Sequence, residues 1–283
     1  MPEGPEIRHN ADLLWEALQG RRIVNAYPER GGRYATVPPV GHDGLAGALE
    51  DDALFVNHVG CKGKFMWWEL APPVPIGRAW YVWITHGMSG RWSHGPGVPH
   101  AAYGFDHAGL AGPPRELHFC DPRRFGTLRF TASADELRVK LDSLGPDMLV
   151  DPPDVGFFAE RLMAKPKRTL AEALMDQGCV SGVGNYVKAE ALYASRLSPH
   201  RTVGSLGSAD MEALRDAVVS VMKGAYAARG ATLRSYRDPA DRAGSAQFAF
   251  QAYGRRADPA GNPVVRELTL DGRTTHWCPA VQS

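Results

Sequence analysis

The sequence has few of the features that mark several classes of protein. Its 283 residues include only four cysteines, Cys61, Cys120, Cys179 and Cys278, and no two of them form a C-x-x-C pair. This spacing fits neither a disulfide framework nor a zinc ribbon, and it favours a reducing compartment. No apolar run approaches the roughly 18–20 residues that a membrane span needs, and no apolar signal segment follows the polar N-terminus. The pattern therefore predicts a chain that is neither membrane-spanning nor secreted.

Net charge is also small. The formal charge is +1 at pH 7, whereas a protein that coats a polyanion non-specifically is usually more basic. Basic side chains are nevertheless clustered at 161–168 and at 229–256, and such a cluster is either a solvated face or a nucleic-acid contact. The length and the 44% of hydrophobic residues predict two globular domains.

The hydrophobic pattern predicts an α+β protein. An apolar stripe of helical spacing follows Pro5 and ends at Gly20, and aromatic and β-branched runs between 54 and 130 predict the short strands of a sandwich or barrel. Helices follow, and Asp271-Gly272 between two β-rich runs predicts a terminal hairpin. We predict an N-terminal domain at 1–134, a linker at 135–150 that takes in part of the proline-rich stretch 144–154, a helical domain at 151–245 and a finger at 246–283.

The N-terminus carries reactive groups. Initiator methionine is normally removed before proline, so we expect Pro2 to be the first residue and to present a secondary amine. An α-amino group has a pKa of about 7.7–8.0, so part of it is neutral at pH 7 and can attack an aldehyde-like carbon to give an iminium ion. Glu3 and Glu6 lie near enough to act as general acid or base. Taken alone, these residues favour a simple helix start.

A glycine-rich turn at 176–186, DQGCVSGVGNY, joins two predicted helices. Its glycines allow close backbone approach, and we expect Asn185 at the N-cap of the second helix. Exposed amides and an asparagine side chain at one point form an anion site suited to a phosphate backbone. A plain helix-hairpin turn is the structural alternative.

Six motifs resemble, in order, those of one family. They are MPEGPEIR at the start, GKF at 63–65, GMSGRW at 87–92, DPRRFGTL at 121–128, LGPDML at 144–149 and LMDQGCVSGVGNYVKAEALY at 174–193. Over nearly its whole length the chain resembles the formamidopyrimidine-DNA glycosylase/endonuclease VIII family of base-excision repair enzymes. The resemblance implies an N-terminal helix with an antiparallel β-sandwich, and a C-terminal helix–two-turns–helix domain that ends in a β-hairpin finger.

The resemblance implies a catalytic set of Pro2, Glu3, Glu6 and Lys64. Pro2 is expected to attack the anomeric carbon of the damaged nucleotide, Glu3 to protonate the sugar ring oxygen, and Glu6 to support the site. Lys64 is expected to hold a phosphate near the lesion. The iminium then acidifies the neighbouring sugar proton, and elimination cuts the strand without a metal or another cofactor.

Five residues match DNA contacts of the family. Met88, Arg123 and Phe125 are expected to fill the space that an extruded base leaves, since an apolar wedge unstacks a base step and arginine can bond the orphaned partner base. Alone, Met88 and Phe125 would also suit a hydrophobic core. Lys167 and Asn185 are expected to contact the DNA backbone.

The C-terminal segment departs from the four-cysteine zinc finger of most family members. Only Cys278 remains, and together with His276 it cannot form a four-ligand site. We predict a zincless finger, as in the endonuclease VIII-like branch, in which Arg273 still reaches DNA and packing of Trp277 helps to offset the missing metal. His86 is a second departure, and it either packs in place of an apolar residue or touches the DNA.

These expectations describe a bifunctional DNA glycosylase and abasic-site lyase for oxidised bases. A non-catalytic damage-binding paralogue is the alternative, although it should have lost Pro2, Glu3 or Lys64. The zincless end favours oxidised pyrimidines first and ring-opened purines second, and the segment 233–250 falls where the family covers the extruded base. The expected partner is damaged double-stranded DNA, lying between the domains of a monomer in the cytoplasm or nucleoid, or in a eukaryotic nucleus.

Overall fold

The structure is a computed structural model that describes residues 2–73, 77–95, 97–109, 113, 115–232 and 236–283. The chain forms two compact units. The first holds Glu6–Leu141 and Ala231–Gly244 together with Pro2, and the second holds Glu3–Pro5, Asp142–Gly230 and Ser245–Ser283. In the described part of the chain, no helix is both long and apolar enough to cross a membrane.

The first unit is built on one antiparallel sheet. Its helices are Gly4–Leu18 (α1), His42–Asp51 (α2) and Ala134–Asp142 (α3), and its strands are Arg22–Pro28 (β1), Leu54–Lys62 (β2), Phe65–Ala71 (β3), Trp80–Thr85 (β4), Arg91–His94 (β5), Ala101–Ala108 (β6), Arg115–Cys120 (β7) and Thr127–Thr131 (β8). The strand order is β5-β7-β6-β1-β2-β3-β4-β8. Each described pair of neighbouring strands is antiparallel.

The sheet folds over itself into two layers. Trp68 in β3 packs against Trp92 in β5 with 4.7 Å between ring centroids, although four strands separate β3 from β5 in the sheet. Tyr103 in β6 and Phe130 in β8 meet in the same way at 5.4 Å. Aromatic side chains from non-neighbouring strands therefore fill one core, which confirms the predicted β-sandwich.

Helix α1 covers part of that core with the predicted stripe. Ile7, Ala11, Leu14 and Leu18 are at most 2% exposed, and their spacing places them on one face of the helix. Gly20 follows with φ +66°, the left-handed conformation in which glycine ends helices.

The second unit is mainly helical. Its helices are Val155–Met163 (α4), Leu170–Met175 (α5), Asn185–Ala194 (α6) and Ser208–Ala227 (α7), and its hairpin pairs Val265–Leu268 (β9) with Thr274–Trp277 (β10). The predicted capping box is present, because the Thr169 side chain accepts from the Glu172 amide and Glu172 accepts from the Thr169 amide. Asp154 caps α4 by accepting from Phe157 N at 2.8 Å.

The segment predicted as a linker is structured. Helix α3 occupies its first half, with Leu137 buried. In the second half, Gly145 N donates to Gln177 O and Ser181 N donates to Pro146 O, both at 2.9 Å. A Cβ at Gly145 would lie 2.4 Å from Cys179 O, so glycine permits this close approach. The proline and glycine content reflects tight packing here, and the limits 135–150 and 245 do not coincide with those of the compact units.

Candidate active site and nucleic-acid interface

Glu3 is fixed at the N-terminus of α6. Its carboxylate is buried and accepts the Tyr186 N–H at Oε1 (2.9 Å) and the Val187 N–H at Oε2 (3.2 Å). The first amides of a helix lack partners within the helix, and its dipole favours a negative charge there. A Cβ on Gly184 would lie 2.1 Å from Glu3 Cδ, so glycine is required for this contact. The glycine-rich turn thus positions a carboxylate from the chain's N-terminal segment.

Asn185 has a different place from the predicted one. Gly184 is the N-cap, and Asn185 is the first residue of α6, because the Glu3 carboxylate already accepts the amides that an asparagine cap would have satisfied. The Asn185 side chain instead donates from Nδ2 to Thr274 O at 2.8 Å. Its Oδ1 is buried and has no hydrogen-bond partner within the described residues. Asn185 therefore links α6 to the hairpin.

Two further charged side chains of α6 hold the finger. Lys188 Nζ lies 2.5 Å from Asp271 Oδ2 at the hairpin turn, and both side chains are almost wholly buried. Burial lowers the pKa of Lys188, and the hydrogen bond and charge of Asp271 oppose that shift. Glu190 accepts three consecutive amides at 251–253. The exposed Arg273 follows this anchored turn, so its backbone is well defined while its side chain faces solvent.

The residues around Cys278 do not fit a zinc ion. The Cys278 thiol is buried and lies 3.9 Å from Asp258 Oδ2. The Asp258 carboxylate also accepts from Tyr193 Oη at 3.1 Å and from Asn262 Nδ2 at 2.9 Å. Among the described residues there is no group of three or more His, Cys, Asp or Glu side chains with metal-binding geometry. Hydrogen bonds centred on Asp258 therefore tie the base of the finger to α6.

In the first unit, Glu6 belongs to a group of buried polar side chains, the Glu6 cluster. It is 1% exposed, and its Oε1 accepts the Ala231 N–H at 2.6 Å. Asn10, on the same face of α1, is fully buried. Tyr236 is buried as well, and its burial together with the charges of Glu6 and Asp238 raises the pKa of its hydroxyl. Neither the Asn10 amide nor the Tyr236 hydroxyl has a hydrogen-bond partner within the described chain.

His9 and Asp238 complete the Glu6 cluster. His9 Nε2 lies 3.2 Å from Asp238 Oδ2, which also accepts from Arg242 Nε at 3.0 Å. Burial would raise the pKa of Asp238, but the hydrogen bonds from Arg242 and His9 lower it overall. These residues were missed by sequence reasoning. Polar residues at the i+3 and i+4 positions from Glu6 were the available signal, since they share its helix face.

The segment predicted to cover an extruded base, 233–250, is divided. Residues 233–235 lie outside the described part of the chain. Residues 236–244 belong to the first unit, where Asp238 pairs with His9, and residues 245–250 belong to the second. Its role as a cover stays a prediction.

Pro2 and Lys64 stand at the ends of elements. Pro2 is buried two residues before α1 begins at Gly4. Lys64 is half-buried in the two-residue turn between β2 and β3, where Lys62 pairs with Phe65. Gly63 precedes Lys64 with φ +58°, as hairpins with glycine at the first turn position require. The turn therefore holds Lys64 at the end of a stiff hairpin.

Met88, Arg123 and Phe125 lie on two loops that pack together. A Cβ on Gly87 would lie 2.5 Å from the Phe125 carbonyl carbon, and Gly87 has φ +56°. Phe125 is 55% exposed, and the Arg123 guanidinium lies 5.3 Å from its ring centroid. Met88 is half-buried on the facing loop. The core alternative is thus wrong for Phe125, and the predicted set comes together.

Hydrogen bonds lock these loops. Ser89 Oγ donates to Asp121 Oδ1 at 2.6 Å and accepts the Arg123 N–H at 3.1 Å. The Gly126 amide donates to the other Asp121 oxygen at 2.5 Å. A buried carboxylate that bonds both loops makes the exposed Arg123-Phe125 tip rigid.

Lys167 is exposed before α5, and no ion pair of Lys167 is found in the described chain. Its neighbours differ, because Arg168 and Lys165 lie 2.6 and 3.6 Å from Asp176 Oδ2. Lys167 is therefore available to an external anion.

His86 is a core residue. It is 2% exposed, and its ring meets Phe119 edge-on with 5.8 Å between centroids. Neither ring nitrogen has a hydrogen-bond partner in the described chain. Burial lowers the pKa of His86 to about 3, so the ring is neutral at physiological pH. The packing interpretation is therefore the one that the structure supports.

Replacing His86 with leucine is expected to reduce acid sensitivity. Between pH 6.5 and about 3, His86 is protonated in the unfolded chain but neutral in the folded chain. The free energy of unfolding therefore falls as the pH drops, by up to about 1.4 kcal/mol per pH unit. Urea unfolding of wild type and His86→Leu from pH 7 to pH 4.5 measures this dependence. Because burial also lowers the pKa of His107 to about 4, the slope should shrink without vanishing. If the free energy of unfolding of His86→Leu depended on pH as steeply as that of wild type, the assignment of His86 as a buried neutral histidine would be contradicted.

Comparisons with known proteins agree with this geometry. The formamidopyrimidine-DNA glycosylase N-terminal domain matches residues 1–128, and the formamidopyrimidine-DNA glycosylase H2TH domain matches residues 144–237. The formamidopyrimidine-DNA glycosylases of Nitrobacter winogradskyi and Acidiphilium cryptum are 34% and 31% identical, with 100% of each chain covered. The crystal structure of the MutM (Fpg) protein from Thermus thermophilus has a TM-score of 0.82 at 30% identity, covering 99% of this chain and 98% of that one.

A Lactococcus lactis Fpg in complex with abasic-site DNA has the same fold, with a TM-score of 0.82 over 99% of both chains at 22% identity. Together, the two domain matches and the buried Glu3 at the helix–two-turns–helix element define a DNA-binding DNA glycosylase of base excision repair. The chain belongs to the formamidopyrimidine-DNA glycosylase/endonuclease VIII family.

Proposed function

We propose that the chain is a bifunctional DNA glycosylase and abasic-site lyase that removes oxidised bases through an N-terminal proline imine. The observation that carries the proposal is the anchoring of Glu3, the residue next to Pro2, by two amides of α6. A buried carboxylate that is held in one orientation, next to the nucleophile in the chain, is positioned for proton transfer at the sugar. A non-catalytic paralogue would not need this arrangement.

The chemistry follows from a secondary amine. After removal of Met1, the neutral Pro2 amine attacks C1′ of the damaged nucleotide while Glu3 gives a proton to the sugar ring oxygen. The C1′–base bond breaks, and the base leaves with the bonding pair and takes up a proton. The Pro2 nitrogen then loses its proton, the C1′–O4′ bond breaks with its pair going to the protonated ring oxygen, and an iminium forms between the nitrogen and C1′. The resulting iminium draws electrons from C2′, a base removes the C2′ proton, and the C3′–O bond breaks, so that phosphate is the leaving group.

The DNA contacts divide by their chemistry. Lys64, Lys167, Asn185 and Arg273 bind backbone phosphates, which fixes position without reading sequence. Extruding a base from the stack costs a few kcal/mol, and the rigid Arg123-Phe125 tip with Met88 fills the space. The exposed Phe125 ring and its arginine neighbour support this role.

The proposed lesion preference rests on the finger and the Glu6 cluster. Asn10 and Tyr236 present buried polar atoms without protein partners among the described residues, and such groups favour a ligand that supplies hydrogen bonds. Saturated or oxidised pyrimidines and hydantoins carry carbonyl and N–H groups of this kind. We place them first and ring-opened purines second, in line with a zincless finger held by Asp258. The protein is proposed to act as a monomer in the cell compartment that holds the DNA.

Borohydride trapping tests the proposal. Purified protein is incubated with duplexes that carry an abasic site, thymine glycol, dihydrouracil or 8-oxoguanine, and N-terminal mass spectrometry determines whether Met1 is absent. We expect a covalent adduct that maps to Pro2, in highest yield with the abasic and pyrimidine substrates. Pro2→Gly should lower the yield while duplex affinity is kept. No adduct from protein without Met1, with DNA binding intact, would favour the non-catalytic binder, and fastest cutting of 8-oxoguanine opposite cytosine would contradict the pyrimidine preference.

Replacing Arg273 with alanine is expected to weaken duplex binding without changing lesion preference. One lost phosphate contact should reduce the slope of log affinity against log salt by about 1. Titration of a fluorescent duplex at several salt concentrations measures this slope. Arg256→Ala is the matched control, because Arg256 is also an exposed finger arginine. If Arg273→Ala bound and cut like wild type, the finger assignment would be wrong.

A further inference from the structure

A basic cavity of about 600 Å³ lies in the first unit where α1 ends. Its polar walls include Arg21, His94, His107 and Arg115. His107 and Arg115 are paired neighbours on β6 and β7. None of these residues belongs to the Glu6 cluster.

The His107 side chain presents a hydrogen-bond donor without an acceptor among the described residues. Arg21 Nε donates to His107 Nδ1 at 2.6 Å, so Nδ1 is the acceptor and the proton of the neutral ring resides on Nε2. His107 is 3% exposed, and its Nε2 has no hydrogen-bond partner within the described residues. A buried N–H donor without an acceptor is unfavourable, and a ligand oxygen would satisfy it.

The cavity also has unbalanced positive charge. Neither Arg21 nor Arg115 forms an ion pair with a carboxylate in the described part of the chain. Glu116 also lines the cavity, but its carboxylate lies 3.4 Å from His118 Nε2. Burial lowers the pKa of His107, and the nearby charges of Arg21, His94 and Arg115 lower it further.

We propose that this cavity binds a phosphate-class oxyanion, with Arg21, Arg115 and the His107 Nε2–H as its donors. Two guanidinium groups and an N–H match the several acceptor oxygens of phosphate. Ala17, which lines the cavity, lies eleven residues beyond Glu6 in α1, about 17 Å along the helix axis. The site is therefore distinct from the Glu6 cluster and independent of the proposed catalysis. The phosphate is either free or part of the DNA backbone.

Inorganic phosphate is the probe for the test. The imidazole nitrogen resonances of His94 and His107 are followed by NMR while phosphate is added at constant ionic strength. In wild type, we expect the resonances of both histidines to shift with added phosphate until the site is saturated. Arg115→Gln should weaken the fitted phosphate affinity by about tenfold, because a charge-assisted contact is lost. Arg22→Gln is the matched control, since Arg22 is the exposed neighbour of Arg21 and is not a wall residue.

A second measurement distinguishes free phosphate from phosphate of the DNA backbone. A salt slope for undamaged duplex that falls by about 1 in Arg115→Gln assigns the site to the DNA backbone, whereas an unchanged slope assigns it to free phosphate. Histidine resonances that do not respond to phosphate, or that respond equally in Arg115→Gln, would overturn the proposal. The proposal would also be overturned if Arg22→Gln lost as much phosphate affinity as Arg115→Gln, because the effect would then come from the overall charge of the protein.

Discussion

Replacing Glu3 with glutamine is expected to slow excision of an oxidised base by about 10²–10⁴-fold, the usual contribution of a positioned proton donor. Glutamine keeps the size of the side chain but cannot give a proton to the sugar ring oxygen. Cleavage at a preformed abasic site should be affected much less, because that reaction needs no base expulsion. Single-turnover rates on a thymine glycol duplex and on an abasic duplex measure the two steps separately.

Glu3→Gln also changes hydrogen bonds that stabilise the fold, so the experiment requires a control. Both Glu3 oxygens accept amides of α6, whereas glutamine offers one oxygen and one amino group, so one helix amide loses its acceptor. Thermal unfolding of Glu3→Gln therefore accompanies the rates. Glu16→Gln removes a carboxylate from the exposed face of α1 and should change neither rate. Equal losses on both substrates would indicate a positional defect and would contradict the acid role of Glu3.

The periodicity of apolar residues predicted the elements that have one continuous apolar face. The stripe Ile7, Ala11, Leu14 and Leu18 gave α1 because all four side chains are buried on the core. Strand β1 was missed, since a bulge between Ile23 and Asn25 breaks its alternation. Helix α2 was missed because glycine and acidic residues weaken its pattern and no side chain caps it. These elements are determined by tertiary packing, which a single sequence does not display.

The candidate site could be predicted as a set of residues but not as an arrangement. Motifs identified Glu3 and Asn185, yet the carboxylate that accepts the first amides of α6 comes from about 180 residues earlier in the chain. No local rule predicts such a cap, so Asn185 was placed in the role that Glu3 takes. Likewise, Lys188 gave no signal of its own, because its partner Asp271 lies in a hairpin that only the fold brings to α6.

The buried pair Lys188–Asp271 is expected to be the main electrostatic contact that holds the finger. Among the described residues, Lys188→Met leaves the buried Asp271 carboxylate with Thr269 Oγ1 and the Arg273 amide as its donors. Leaving one partner of a buried pair uncompensated costs about 3–5 kcal/mol. The finger hairpin should therefore open more often, and Arg273 should lose its fixed position. Hydrogen exchange at the Thr274–Trp277 amides reports this opening directly.

A second substitution shows whether charge or packing is responsible. Asp271→Asn added to Lys188→Met removes the stranded charge while an amide oxygen still accepts from Thr269 and Arg273, so most of the lost stability should return. The double variant should exchange β10 amides at nearly the wild-type rate and bind duplex DNA nearly as well. If the double variant were as unstable as Lys188→Met, the lysine would act through packing of its aliphatic stem. The finger would then depend on the Asp258 network more than on this ion pair.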